Sequence, residues 1–236
     1  MEKRIAFFSI HSDPLARLGG RESGGQNLYV RSLIQQLDRL GWQVDAFTRI
    51  NDPEKRRIVR IGNHSRVIRL RGGPIEHIPK GKLHPYFPDL WNNFQLFVRE
   101  EFRNGNPYSL FHGHHYDGGF IALQAHTLWR SPLVMTYHSL GVIRMKTQEK
   151  FLHKIDDERL FSERLKMEQE QANSSSLIIS LSESEKSDLI AYYGIDPSKI
   201  SVVPGGVNLR QFHPIPKEKA RKHTGYRRDD YVILFV

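Results

Sequence analysis

The sequence has no cysteine, which excludes disulfides and thiolate zinc sites and suits a reducing, cytoplasmic setting. No stretch approaches the roughly 20 consecutive apolar residues of a membrane-spanning helix. The opening MEKRIAFFSI carries a short apolar run, but His11, Ser12, Asp13 and Pro14 follow at once, so it does not read as a signal peptide, which needs a longer apolar region and a small-residue cleavage site. Internal repeats and low-complexity tracts are also missing. Acidic residues are fewer than basic ones: 35 Lys and Arg against 26 Asp and Glu leave a net charge of +9. That excess favours an anionic partner such as a sugar phosphate, nucleotide, nucleic acid or anionic membrane, or is simply a basic solvated surface.

With 236 residues, the chain is long enough to bury a substantial core. Short apolar runs alternate with helical patterns: IAFFSI (5–10), a helix from about Ser23 to Leu40, VDAFT (44–48), a helix over 90–103, SLFH (109–112) and a helix over 119–129. LVMTYH (133–138), a helix over 158–172, SLIIS (176–180), a helix over 183–193 and ISVVP (200–204) continue the series. Buried strands alternating with helices predict an α/β fold with a doubly wound, mostly parallel sheet. IVRIG and RVIRLRGG read as a strand pair inserted after the second parallel strand. From Arg210 the chain turns polar, charged and proline-bearing, as a linker does over 210–229, before a segment at 230–236 that carries the strand-like run YVILFV.

Four glycines, Gly19, Gly20, Gly24 and Gly25, precede the first helix. Their spacing fits neither the dinucleotide fingerprint nor the P-loop, where Gln26 stands in place of the lysine. Glycines at a helix start still let backbone N–H groups approach an anion, and the helix dipole favours negative charge there. A surface loop that binds nothing has the same composition. The second cluster, FHGHHYDGG, brings His112, His114, His115, Tyr116 and Asp117 to the carboxyl end of a predicted strand, where ligands of open α/β sheets bind. Metal-dependent hydrolysis on His112, His114 and Asp117 is one alternative, although the H-x-H-x-D-H pattern is absent. In TYHSLG, His138 likewise follows a buried strand, so a glycine loop and two histidine-bearing strand ends converge on one sheet edge.

Together, SIHSDPL with GGQNLYV, GGP followed by a basic loop, HGHHYDGG, TYHSLG, RLKMEQE, SLSESE and VVPGGVNLRQF resemble the N-terminal half of retaining GT-B glycosyltransferases (glycosyl transferases group 1). The branch is that of sucrose-phosphate synthases and the inositol-phosphate glycosyltransferases of mycothiol synthesis. The resemblance covers residues 3–235 and implies a Rossmann-like, acceptor-side domain over 1–209. The YVILFV run would be the first strand of a second, donor-binding domain that the sequence does not contain. It further implies His138 beside the transferred sugar as the catalytic residue. Substrate contacts would come from His11, Gly24, Gly25, Asn27, His114, His115, Asp117 and Ser139, with Lys80 and Arg164 holding an acceptor phosphate. A tyrosine is expected at position 115, where this chain has histidine.

On this resemblance the complete enzyme would transfer a sugar, with retention, from a nucleotide diphosphate sugar to a sugar phosphate or cyclitol phosphate. No cofactor, metal, nucleic acid or membrane span is expected, and the chain alone is expected to lack transferase activity. The alternatives are a non-catalytic sugar-phosphate-binding module and a partner for a separately encoded donor domain.

Overall fold

The computed structural model describes residues 3–17, 19, 24–103, 105–152 and 158–234. Eight strands form one sheet: β1 (Arg4–Phe8), β2 (Gln43–Arg49), β3 (Ile58–Arg60), β4 (Arg66–Leu70), β5 (Leu110–His114), β6 (Leu133–Thr136), β7 (Leu177–Ser180) and β8 (Ile200–Val202). Their order is β3-β4-β2-β1-β5-β6-β7-β8. Every pairing is parallel except β3 with β4, so the strand pair expected after β2 is present, with β4 extending the parallel sheet. From β1 the chain winds outward through β2 and β4 on one side and β5 to β8 on the other, the doubly wound topology expected.

The helices are α1 (Gly25–Arg39), α2 (Phe87–Glu101), α3 (His115–Trp129), α4 (Gly141–Leu152), α5 (Glu158–Ser174), α6 (Glu183–Tyr193) and α7 (Lys217–Thr224). Side chains of β1 alternate between two cores. Ile5 and Phe7 pack with Val30 and Ile34 of α1, whereas Ala6 and Phe8 join the larger cluster that includes Phe94 of α2 and Ile121 of α3. Two-sided burial explains why the strands read as continuous apolar runs.

Helices α1, α3 and α4 depart from the sequence reading. The expected start of α1, Ser23, lies outside the described residues, as does Gly20; the helix begins at Gly25, with Gly24 extended at its N-cap (φ −150°). Helix α3 starts at His115 rather than near 119 because Gly118 and Gly119 are close-approach residues, not helix breakers. A Cβ on Gly118 would lie 2.0 Å from the Phe8 carbonyl oxygen, and one on Gly119 would lie 2.4 Å from Gln171 Oε1. Removing both side chains lets the first turn of α3 press onto β1 and α5. Helix α4 was not anticipated, since its apolar residues do not form one stripe.

Residues up to Pro204 form one compact unit and those from Gly205 a second. The second contains α7, closed by Gly225 in the left-handed conformation (φ +78°), and Arg221 donates to the Asp230 carbonyl at 2.7 Å. Tyr231–Leu234, the described part of the YVILFV run, belongs to no strand. These residues pair with no strand among the described residues, and strand geometry is held by such pairing.

Candidate functional site

Strands β1 and β5 are neighbours from which the chain departs in opposite directions, and the crevice beyond the carboxyl ends of such strands is where open α/β sheets bind ligands. The register pairs Phe8 with Gly113 and His114 with Thr136. His11, just past β1, the His114–Asp117 segment at the end of β5 and His138 past β6 therefore converge at this edge.

Asp117 is the hub of one cluster. Its Oδ2 accepts from the His11 backbone N–H at 3.0 Å and from His11 Nδ1 at 2.7 Å, while Oδ1 accepts from His115 Nδ1 at 3.2 Å and the Gly118 N–H at 2.9 Å. Burial alone would raise its pKa, but the neighbouring His11 and these N–H donors hold it well below the usual carboxylate range. A carboxylate surrounded by hydrogen-bond donors stays ionised. Burial pushes His115 down to about 3, its bond to Asp117 opposing the shift. His11 also lines a small cavity with Asp13, Arg49, Asn51 and His77.

A second cluster joins β5 to β6. His114 Nδ1 lies 3.1 Å from His138 Nε2, and His112 Nε2 lies 2.9 Å from Thr136 Oγ1. The rings of His112 and His114 stack at 4.2 Å, Phe7 meets both edge-on, and Tyr29 of α1 meets His114 and His138 edge-on at 6.2 and 5.1 Å. Burial lowers His112 to about 3 and His138 to about 4, and pushes His114 well below the ordinary imidazole value. His115 and His138 also adopt the left-handed backbone conformation, at φ +63° and +59°. Such strain in bulky residues persists only where the surroundings enforce it, and it gathers at functional sites.

The third cluster centres on Tyr116, whose role the sequence left open. Its hydroxyl donates to the Lys80 carbonyl at 3.4 Å, and the Arg164 guanidinium lies over its ring at 4.8 Å. Lys80 sits on a short 3-10 helix, Lys80–Lys82, in a loop anchored by Arg49, whose guanidinium donates to the carbonyls of Gly72, Pro74 and Glu76. Arg164 is itself buried. Its Nε donates to Glu168 Oε1 at 2.7 Å and one Nη to the Ser139 carbonyl at 2.6 Å. Glu168, fully buried, also accepts from the Gly141 N–H and the Tyr193 hydroxyl. Ser139 is exposed at the rim.

The structure thus gathers His11, His115 and Asp117; His114 and His138; and Ser139 and Arg164, with the Lys80 backbone reached through Tyr116. Gly24 and Gly25 are exposed at the start of α1, whose first turn contains no acidic residue. Asn27, expected to touch substrate, is buried and already committed: its Oδ1 accepts from the Gly24 N–H at 2.9 Å and its Nδ2 donates to the Asp13 carbonyl at 2.8 Å. It shapes the glycine loop. Arg49, Glu168 and Tyr29 were missed, and the role of Tyr116 was left open, because most of their partners lie far away in sequence.

His11, His115 and Asp117 also bring possible metal-ligating atoms within 4.8 Å of one another, the one such group among the described residues. Both carboxylate oxygens are already engaged by four N–H groups, and the two imidazole Nδ1 atoms are among those donors, so hydrogen bonding accounts for the arrangement without a cation. The hydrolase alternative required His112 and His114 to face Asp117; they face Thr136 and His138 instead.

Comparison with known proteins matches residues 23–211 to the family described as Glycosyltransferase Family 4. A D-inositol 3-phosphate glycosyltransferase of Corynebacterium efficiens is 30% identical over 237 residues, covering 99% of this chain and 54% of the relative. One from Kineococcus radiotolerans is 31% identical, covering 99% and 52%. Among solved structures, sucrose-phosphate synthase from Thermosynechococcus elongatus superposes with a TM-score of 0.82 at 30% identity, covering 97% of this chain and 54% of that one. Anabaena HepE, solved with UDP and glucose, shares the fold (TM-score 0.55, 16% identity, 95% and 50% covered). The chain spans about half the length of the curated relatives it matches. No helix among the described residues is long and apolar enough to cross a membrane.

Proposed function

Because the chain belongs to Glycosyltransferase Family 4 and has the fold of the N-terminal half of a GT-B glycosyltransferase, we propose that it forms the acceptor side of an enzyme moving a sugar from a nucleotide diphosphate sugar to a phosphorylated sugar or cyclitol. The donor-binding side would lie in a second domain or a separately encoded partner. The observation that carries the phosphorylated acceptor is Tyr116, which ties the Lys80 loop to the Arg164 guanidinium. That tie brings the Lys80 backbone beside the arginine, and a lysine point charge acting with an arginine fork recognises phosphate well.

In this reading, Ser139 and Arg164 meet the acceptor phosphate with Lys80, and the exposed backbone of the Gly24–Gly25 turn, held in shape by Asn27, faces the donor's diphosphate. His138 lies beside the transferred sugar as a neutral imidazole, able to hydrogen-bond a hydroxyl without adding charge. Asp117, His115 and His11 fix the floor between them. Catalysis is then chiefly positioning and stabilisation of charge on the leaving diphosphate.

Calorimetry of the 236-residue chain with an inositol phosphate, a hexose phosphate and their unphosphorylated counterparts tests the reading. Phosphorylated ligands are expected to bind and the others not. Lys80→Ala should weaken the binding by roughly 10- to 100-fold, the loss of one charged hydrogen bond. Equal affinity with and without phosphate would contradict the reading.

A further inference from the structure

The pairing of His114 with His138 contains information about which ring nitrogen of His138 carries its proton. Only one of the two facing nitrogens, His114 Nδ1 and His138 Nε2, can hold the hydrogen at their 3.1 Å separation. The other nitrogen of His114, Nε2, is sealed from solvent and has no hydrogen-bond partner among the described residues. If His114 carried its proton on Nε2, a buried N–H would be left without an acceptor, which folded proteins almost always avoid; a bare lone pair is the better tolerated orphan. The proton of His114 therefore belongs on Nδ1, directed at His138.

His115 supplies an internal precedent. Its Nδ1 faces the ionised Asp117, an acceptor only, so Nδ1 must carry the proton; its Nε2 is likewise buried and without a partner among the described residues. At His115, where the chemistry leaves no choice, the orphan nitrogen is a lone pair. The surroundings of His114 oppose the doubly protonated alternative too. His112 stacks on its ring at 4.2 Å, Phe7 meets it edge-on, and no carboxylate among the described residues forms a hydrogen bond or ion pair with it.

We propose that His114 is a positioning residue: by donating from Nδ1 to His138 Nε2 it locks His138 in the Nδ1-protonated tautomer, so that His138 offers the site an N–H donor rather than an acceptor. The complementary ligand group is an oxygen lone pair, from a sugar hydroxyl or a phosphate. That ligand class rests on the glycosyltransferase reading; the tautomer itself does not. His114 would then touch no substrate, in contrast to the role the sequence resemblance gives it.

Long-range proton–nitrogen NMR of the full chain labelled with 15N-histidine reads the tautomer without any ligand. The native protein should show His138 with a protonated-type Nδ1 and an unprotonated-type Nε2. His114→Asn, whose amide N–H sits near the position of Nδ1, should preserve that pattern. His114→Leu should shift His138 toward the Nε2-protonated form. A protonated Nε2 on His138 in the native protein overturns the proposal, and so does an unchanged pattern in His114→Leu. Should the leucine variant fail to fold, the native and asparagine spectra still decide. A native-type tautomer together with no binding of phosphorylated ligands would sink the acceptor reading and leave this inference standing.

Discussion

Acidification from pH 7.5 to 5.5 is expected to lower the unfolding free energy of the chain by about 5.5 kcal/mol, close to 1.4 kcal/mol for each of four histidines with depressed pKa values. His112, His114 and His115 are no more than 3% exposed, and burial holds their folded pKa values far down, to about 3 for His112 and His115, as it holds His138 at about 4. In the unfolded chain they titrate near 6.5. The unfolded state therefore binds more protons throughout the interval between those values. Stability falls as pH drops below about 6.5 and goes on falling toward 3. Asp117 works in the same direction in a lower window: its depressed pKa contributes stability above the ordinary carboxylate value that is lost as pH falls toward its folded one. Urea unfolding at pH 7.5, 6.5 and 5.5 measures the slope, and His112→Asn should remove about a quarter of it. A stability independent of pH across this range would mean that these rings are not buried as described.

Glu168→Ala is expected to destabilise the protein by about 3–5 kcal/mol, because it leaves the buried Arg164 guanidinium without its counter-charge. The same deletion frees the Gly141 N–H and the Tyr193 hydroxyl, both of which end on this carboxylate. The pair is closely packed in the native protein, where a Cβ on Gly141 would come within 2.9 Å of Glu168 Oε2 and 3.0 Å of Arg164 Nε. Glu168→Gln, which retains the shape and part of the bonding, should lose less. Replacing Arg164 and Glu168 together by apolar residues should lose less than Glu168→Ala alone, because no unpaired charge remains. Denaturant melts of the three variants check the ordering. Equal losses in the single alanine and double apolar variants would remove the buried pair from the account. The consequence for function is direct, as Glu168 aims Arg164 at Ser139 and across Tyr116.

Much of the architecture was legible because a two-sided parallel sheet writes itself as apolar runs separated by amphipathic helices. The IAFFSI, VDAFT, SLFH and LVMTYH runs all coincide with strands. The place of the candidate site was legible for a related reason: in such a sheet, whatever follows β1, β5 and β6 must meet at one edge. The division of labour among those residues was not. Asp117 and His11 are 106 positions apart, and no spacing rule announces that one orients the other. Gly118 and Gly119 look like loop residues until the Phe8 carbonyl is seen against them. Asn27 carries a side chain suited to a ligand, yet the fold turns it inward onto Asp13 and Gly24. Tyr116 stands one place after the expected tyrosine, and only the third dimension shows it between Lys80 and Arg164.

Hydrogen–deuterium exchange of the chain, with and without a saturating cyclitol phosphate, tests the central claim that the carboxyl edge of β1, β5 and β6 receives a phosphorylated acceptor. Added protection is expected in the loops following β1 and β6, in the Lys80–Lys82 turn and at the start of α3. Protection confined to the basic helix α7, or absent from the strand ends, would contradict it.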